Sequence, residues 1–482
     1  MKKIDQVINK SRWTLLLIFV IGYLVTKTYF SFASFEYFMY NFLAFGACVI
    51  LLNQLKGFEY RYVGAWLVLA TIMTVYFLRF YWITLDPSPV SVMLPLNPYL
   101  KMIVEKRMLL KAFKISTVMF AFFCVACAWI LNYLRDYNFK KISIGQEDLG
   151  LCKLSWKLLL ITLPPIMLSL YFLTYYYQIG FMGASSGEPL PFRLKGIVFY
   201  VSVVFVPLLI ALLICLAEQC EDKLISSLGI LLMVVHGVAL MLLRGSRSSL
   251  LLSILLLVFL VMVDGLQLQR NQKIFIGIFI LVAFFMVPVI TIYRSLRVGQ
   301  GMYLFEAITQ AIYLVHNNLA STFLKGIKFV LFRMPGIESL WCILAQGSVP
   351  LDVKIFDVFA SLNGVAGYLT YNIYSLNQES NTLLAPSFVG WFYLVAGLPA
   401  VVVGGVLAAL FAVIGWVVAS RNYLRCGLIA QTFLLWMLFV ALTEGTLDTM
   451  GLLVFSGIAS IAIIELTLIL LSTFLYKNYL VD

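Results

Sequence analysis

Twelve apolar runs, each roughly 18 to 22 residues long and so able to cross a bilayer as a single helix, fill most of this 482-residue chain. They lie near residues 13–30, 37–54, 62–82, 113–134, 156–178, 196–217, 224–243, 249–266, 274–293, 398–420, 427–446 and 452–475. Lipid offers a backbone no hydrogen bonds, so runs of this length read as transmembrane helices. Of all residues 62% are hydrophobic and 12% charged, with mean hydropathy +0.99. Soluble domains hold about 45–50% apolar residues. The expected fold class is an all-α polytopic membrane protein, with residues 1–482 as a single transmembrane domain. No internal repeat or low-complexity linker divides it.

Charge orients the spans. The first run follows Met1-Lys2-Lys3 and continues past Phe30 without an Ala-x-Ala cleavage pattern, which favours an uncleaved span over a signal peptide. Lys2, Lys3, Lys10 and Arg12 place the amino terminus in the cytoplasm, and an even number of spans returns the carboxyl terminus, with Lys477, to the same side. The loops expected inside carry Lys56 and Arg61; Arg135, Lys140, Lys141, Lys153 and Lys157; Lys223; Arg270 and Lys273; Arg421 and Arg425. A net charge of +12 distributed in this way points to anionic lipid headgroups or phosphorylated substrates as partners, not to nucleic acid. Of the eight cysteines, only Cys342 lies in a large outward loop, which suggests neither a disulfide framework nor a thiolate metal site.

The expected outward segments are 31–36, 83–112, 179–195, 244–248, 294–397 and 447–451. The segment 294–397, between the ninth and tenth spans, dominates, and a loop of that length is normally functional. Leu304, Ile308, Ile312, Val315 and Leu319 recur at spacings of three and four, which predicts a helix with one apolar face. The loop therefore reads as several short helices lying on the membrane surface.

Two arginine pairs of equal spacing, Arg244-Gly-Ser-Arg247 and Arg294-Ser-Leu-Arg297, end spans on this outward side, and Arg333 in the large loop adds a fifth cation. Cytoplasmic loops usually hold the excess of Lys and Arg, so outward arginines ask for an anion. If the helices continue through them, each pair sets two guanidiniums on one face. Guanidinium binds phosphate through paired hydrogen bonds and keeps its charge. The plainer alternative is that span-end arginines reach lipid phosphates and do no more. Gly245-Ser246 suits either close approach of an anion or a tight helical hairpin.

A transferase acting on a hydroxyl also needs a base. His316, followed by Asn317 and Asn318, titrates in the right range, and Glu338 in Arg333-Met-Pro-Gly-Ile-Glu338-Ser is the other candidate. Glu338 also suits the first turn of a helix begun by Pro335 and Gly336, where a carboxylate meets the helix dipole favourably. His236, inside the seventh span, reads as a packed, hydrogen-bonded residue that can support a site around Arg244. The first outward loop, a few residues around Glu36, holds no Asp-x-Asp pair, and neither a Gly-x-x-x-x-Gly-Lys loop nor a dinucleotide fingerprint occurs. No metal and no cofactor are expected. An energy-rich donor on the outward face must then be carried by lipid.

Leu243-Arg244-Gly-Ser-Arg247-Ser-Ser, then Arg333-Met-Pro-Gly-Ile-Glu338-Ser-Leu, then Asn381-Thr-Leu-Leu-Ala-Pro386-Ser-Phe-Val-Gly390-Trp-Phe-Tyr393-Leu-Val-Ala-Gly397 leading to Gly404-Gly405 resembles the Wzy-type polymerases of O-antigen and related glycans. The likeness covers roughly residues 236 to 410. Trp391 stands where the family pattern has an acidic residue after the Pro-x-x-x-Gly element. The resemblance implies about twelve transmembrane helices with a large helical periplasmic loop, similar to the lipid-dependent glycosyltransferase fold of O-antigen ligases. It implies a metal-independent enzyme of the bacterial inner membrane, active at the periplasmic face in lipopolysaccharide biosynthesis. Such an enzyme moves a growing glycan from undecaprenyl pyrophosphate to the non-reducing end of a new lipid-linked repeat unit, alongside a chain-length-regulating co-polymerase. Arg244, Arg247, Arg294, Arg297 and Arg333 are the candidate pyrophosphate ligands, Glu338 or His316 the candidate base, and Tyr371, Tyr374 and Trp391 candidate sugar platforms. An O-antigen ligase and a polysaccharide flippase are the alternatives.

Overall fold

The computed structural model describes residues 2–55, 63–85, 106–134, 149–180, 194–245, 247–262, 268–318, 336–345, 387–419, 427–444 and 447–479. Among these, every regular element is helical. In chain order the helices are α1 (Lys2–Thr26), α2 (Ser34–Gln54), α3 (Val63–Leu85), α4 (Lys106–Tyr133), α5 (Leu149–Tyr176), α6 (Leu194–Gln219) and α7 (Lys223–Arg244). They continue with α8 (Arg247–Met262), α9 (Arg270–Gly299), α10 (Leu304–Asn317), α11 (Ile337–Ala345), α12 (Phe388–Ala419), α13 (Gly427–Glu444) and α14 (Leu447–Tyr479). Each of the twelve apolar runs falls on one of them. Among the described residues, eight helical stretches are long and apolar enough to cross a membrane, and Trp13–Thr26, Leu252–Met262 and Gly427–Thr443 are apolar but shorter. The chain is an α-helical protein embedded in membrane.

The chain divides into two compact units. The first comprises Met1–Asn138, Lys328–Val418 and Met437–Gly451. Its core is aromatic. Phe80 of α3 stacks on Phe113 of α4 at 4.3 Å between ring centres, Phe77 meets Phe120 at 4.9 Å, and Phe19 of α1 meets Phe77 at 5.0 Å. Spacings of three and seven put these rings on single helix faces, and such pairs add about 0.5–1.5 kcal/mol each beyond burial. Aromatic side chains of membrane proteins commonly gather in belts at the lipid interface. These buried rings are core instead, because α1, α3 and α4 turn their aromatic faces toward each other, while Trp129 remains exposed. Small residues set the helix separations. A Cβ on Gly405 of α12 would lie 2.5 Å from the Met119 carbonyl oxygen, and one on Gly64 2.5 Å from that of Ala412.

Helix α12 is two segments. Ala396 and Gly397 leave helical geometry, Gly397 at φ 68°, and Pro399 lacks the N–H an unbroken helix would use. The second segment thus starts where the apolar run at 398 predicts. The first, from Phe388, is capped by Ser387, whose hydroxyl accepts from the Gly390 N–H at 3.2 Å.

The second unit comprises Phe139–Ile327, Ala419–Trp436 and Leu452–Asp482. Helices α6, α7 and α8 pack closely, since a Cβ on Gly237 of α7 would come within 2.9 Å of Ser253 on α8. In the segment 294–397 the expected short helices include α10, whose buried stripe is Ala307, Ala311 and Val315. Ile312, assigned to the apolar face, is exposed. The small alanines admit the neighbouring α9, so close approach rather than bulk chooses the buried face. Leu319 lies outside the described residues.

Candidate functional site

In the second unit, Asp222 opens α7 by accepting from the Ile225 N–H at 3.2 Å, and Gly245 closes it in the left-handed region at φ 59°. The chain reverses there, and Arg247 is the first residue of α8. Arg244 and Arg247 therefore flank a hairpin and do not share one helix face, which corrects the expectation for this pair. The cause is glycine: φ above zero ends the helix before Arg247 can join it.

Arg244 is only 2% exposed. Its guanidinium carbon lies 4.0 Å from the centre of the Phe199 ring, and its Nε and Nη2 have no hydrogen-bond partner among the described residues. A cation–π contact stabilises a desolvated guanidinium by about 2 kcal/mol. That is less than the several kcal/mol needed to bury an ion. Gly180, at φ 70°, borders the group, and a Cβ there would stand 3.2 Å from the Phe199 ring and 3.3 Å from the Arg244 Nε. The arrangement is a buried guanidinium set against an aromatic face.

Helix α9 runs past the expected span end at 293 as far as Gly299, so Arg294 and Arg297 sit on one unbroken helix. The Tyr293 hydroxyl donates to the Leu242 carbonyl at 2.9 Å and accepts from Arg297 Nη1 at 2.7 Å. Leu242 belongs to the last turn of α7, which ends at Arg244. Tyr293 thus ties Arg297 to the end of the helix bearing Arg244. Arg294 is half-buried.

Below Arg244 on α7, His236 is fully buried. Its Nε2 contacts the Ser202 carbonyl at 2.8 Å and its Nδ1 the Tyr171 hydroxyl at 2.8 Å. Ser202 lies in a π-helical turn, Val201–Phe205, whose widened register displaces a carbonyl from the usual ladder. With Nε2–H donating to that carbonyl and Nδ1 accepting from tyrosine, both ring nitrogens are satisfied. His236 is the packed intramembrane residue that its place in a span suggests. A cavity beside it, lined by Ser202, Leu240, Ser249, Ser253, Phe433 and Trp436, holds about 20 Å³. That is room for one water and no substrate.

In the first unit, Glu338 stands in the first turn of α11, as its Pro-Gly context suggests, and is buried. Its Oε1 accepts from Arg79 Nη1 at 2.6 Å and from the Gly336 N–H at 3.1 Å, while Oε2 has no partner among the described residues. Burial pushes this carboxyl above the usual carboxylate range, and the Arg79 guanidinium and the Gly336 N–H pull the other way. Gly336 makes the approach possible: a Cβ would lie 2.4 Å from the Val75 carbonyl oxygen and 2.8 Å from Arg79 Nη1.

The remaining candidates divide simply. His316 is exposed at the end of α10, on the face of Phe305 and Ile312 rather than on the buried stripe. Trp391 packs edge-on against Phe392, with ring centres 5.0 Å apart. Arg333, Tyr371, Tyr374 and the side chain of Arg247 lie outside the described residues. Among the described residues, no three of His, Cys, Asp and Glu gather as a metal set would. Sequence reasoning missed Arg79, Phe199, Gly180 and Tyr293. Arg79 alone carried a signal, as the one charged residue within the run 62–82.

No protein-family model, curated protein or solved structure matches this chain.

Proposed function

We propose that the protein polymerises lipid-linked oligosaccharide repeat units. It crosses the bacterial inner membrane twelve times, with Arg244 and the large loop on the periplasmic side. It carries a growing glycan from undecaprenyl pyrophosphate to the non-reducing end of the next lipid-linked repeat unit. The observation that carries the reading is Arg244, a buried guanidinium with two unpaired nitrogens and Arg297 tethered nearby through Tyr293. Such a group suits a multiply charged oxyanion that develops as a bond breaks, and a diphosphate leaving an anomeric carbon is one. Arg247, Arg294 and Arg297 of the same unit are assigned the same anion, in the role a divalent metal plays in other glycosyl transfers.

Glu338 is assigned the base, since it is held in place by two donors while His316 is exposed on an outer helix face. The resemblance in the Arg333-to-Gly405 segment supports the substrate class. The acceptor is the terminal sugar of a repeat unit; lipid A core as acceptor would make the protein a ligase, and translocation without bond formation a flippase.

The test is the surface polysaccharide of a deletion strain, resolved on a gel. A single repeat on core, restored to long chains by the wild-type gene and not by Arg244→Ala at equal protein level, is the expected result. Long chains with Arg244→Ala remove the anion site. Core without any attached glycan in the deletion strain replaces the polymerase with a ligase or flippase.

A further inference from the structure

Two donors converge on one oxygen of Glu338 and, among the described residues, none reaches the other. Arg79, 259 residues away in sequence and directly after the π-helical turn Met73–Leu78, donates from Nη1 to Oε1 at 2.6 Å. The Gly336 N–H meets the same oxygen at 3.1 Å. An arginine used only as a brace favours the two-point fork on both carboxylate oxygens. Here Oε2 stays buried and unpartnered among the described residues. The one-sided grip fixes the plane of the carboxylate and keeps the lone pairs of Oε2 for another donor. The glycine at 336 is part of the device, because any Cβ would strike the Val75 carbonyl and Arg79 itself.

We propose that Arg79 is a positioning residue of the transfer reaction, holding Glu338 so that Oε2 takes the proton of the acceptor sugar's hydroxyl. This rests on the polymerase reading above. As the hydroxyl oxygen bonds to the anomeric carbon, the bond from that carbon to the pyrophosphate oxygen breaks. Its electron pair leaves with undecaprenyl pyrophosphate, and the O–H proton passes to Oε2. Arg79 touches neither sugar. Among the described residues, the ionisable group close to this carboxylate besides Arg79 is Tyr76, whose hydroxyl accepts from the Val389 N–H at 3.1 Å. Glu338 works as a base only while ionised, so activity falls as pH drops through its pKa. The guanidinium favours the ionised form, so its removal moves that fall to higher pH.

The full-length protein in nanodiscs is supplied with undecaprenyl-pyrophosphate-linked repeat units extracted from the deletion strain, and kcat and KM for extension are measured against pH per mole of folded protein. Arg79→Gln is expected to lower kcat about a hundredfold at unchanged KM, the low end of what a positioned base contributes. It also moves the acid limb up by about 1 to 3 units, the range an adjacent opposite charge commands. Arg79→Lys, which keeps the charge, brings the limb most of the way back, and Glu338→Gln removes it. Exchanging the pair, Arg79→Glu with Glu338→Arg, keeps the ion pair and stays inactive. An active exchange variant, or an acid limb unmoved in Arg79→Gln, overturns the proposal and leaves the pair a brace. Should Arg79→Gln not fold, Arg79→Lys with a wild-type limb and kcat, beside an active exchange variant, has the same force. If the wild-type protein extends nothing, the polymerase reading itself falls and takes this role with it.

Discussion

Two buried arginines, one in each unit, stand in opposite electrostatic states. Arg79 is 6% exposed and its charge is met by Glu338 at 2.6 Å. Arg244 is 2% exposed and meets the face of Phe199, with Nε and Nη2 bare among the described residues. Burial is alike, so burial does not separate a structural cation from a binding one. The counter-ion does. A guanidinium that already has its carboxylate holds that carboxylate in place, whereas Arg244 has only an aromatic face beside it among the described residues.

Three substitutions break or sharpen the contrast. The largest effect is expected from Arg79→Ala, which strands a buried carboxylate at a cost of about 3–5 kcal/mol. Thermal unfolding in nanodiscs reads it, and a melting temperature equal to wild type would mean that the pair is not the buried ion pair described. Next is Arg244→Met, which keeps the aliphatic bulk and removes an uncompensated charge. Chain extension should fall by about 10²–10³-fold, the scale for losing one oxyanion donor, while the melting temperature holds or rises. A loss of stability matching that of Arg79→Ala would erase the difference between the two arginines. The smallest effect belongs to Tyr293→Phe, which deletes the hydroxyl joining Leu242 and Arg297 and should cost about 1 kcal/mol, one ordinary hydrogen bond. Extension is then expected to drop up to about tenfold, the kinetic equivalent of that energy. An effect as large as that of Arg244→Met would shift the anion site from Arg244 to Arg297.

Much of the helical layout was legible because lipid imposes one solution on a long apolar run. Each run met a helix, and the start of the tenth at 398 falls at the Ala396–Gly397 break in α12. His236 was legible for a related reason, since an imidazole inside a span must find partners, and Ser202 and Tyr171 supply them. The buried face of α10 was not. Spacing alone favoured bulky Ile312, yet the helix turns small Ala307 and Ala311 inward because close packing needs them. The hairpin at Gly245 was half legible: glycine announced a turn, but whether both flanking arginines stayed on one helix depended on where the left-handed residue fell.

Local chemistry, periodic apolarity, span-end charge and helix-ending glycines, settled that this is a membrane-embedded helical chain with arginines near helix ends. That information sits within some twenty residues of each feature, which is the range over which a helix is determined. Tertiary structure alone decided that Arg79 belongs to Glu338, that Arg244 rests on Phe199 with no carboxylate beside it among the described residues, and that Tyr293 links Leu242 to Arg297. The Arg79–Glu338, Tyr293–Leu242 and Arg244–Phe199 pairings cross 259, 51 and 45 positions, the last being 244 less 199, while Tyr293 and Arg297 are four apart on one helix. Over such distances no residue carries a mark of its partner, and only packing brings the charges together or keeps them apart.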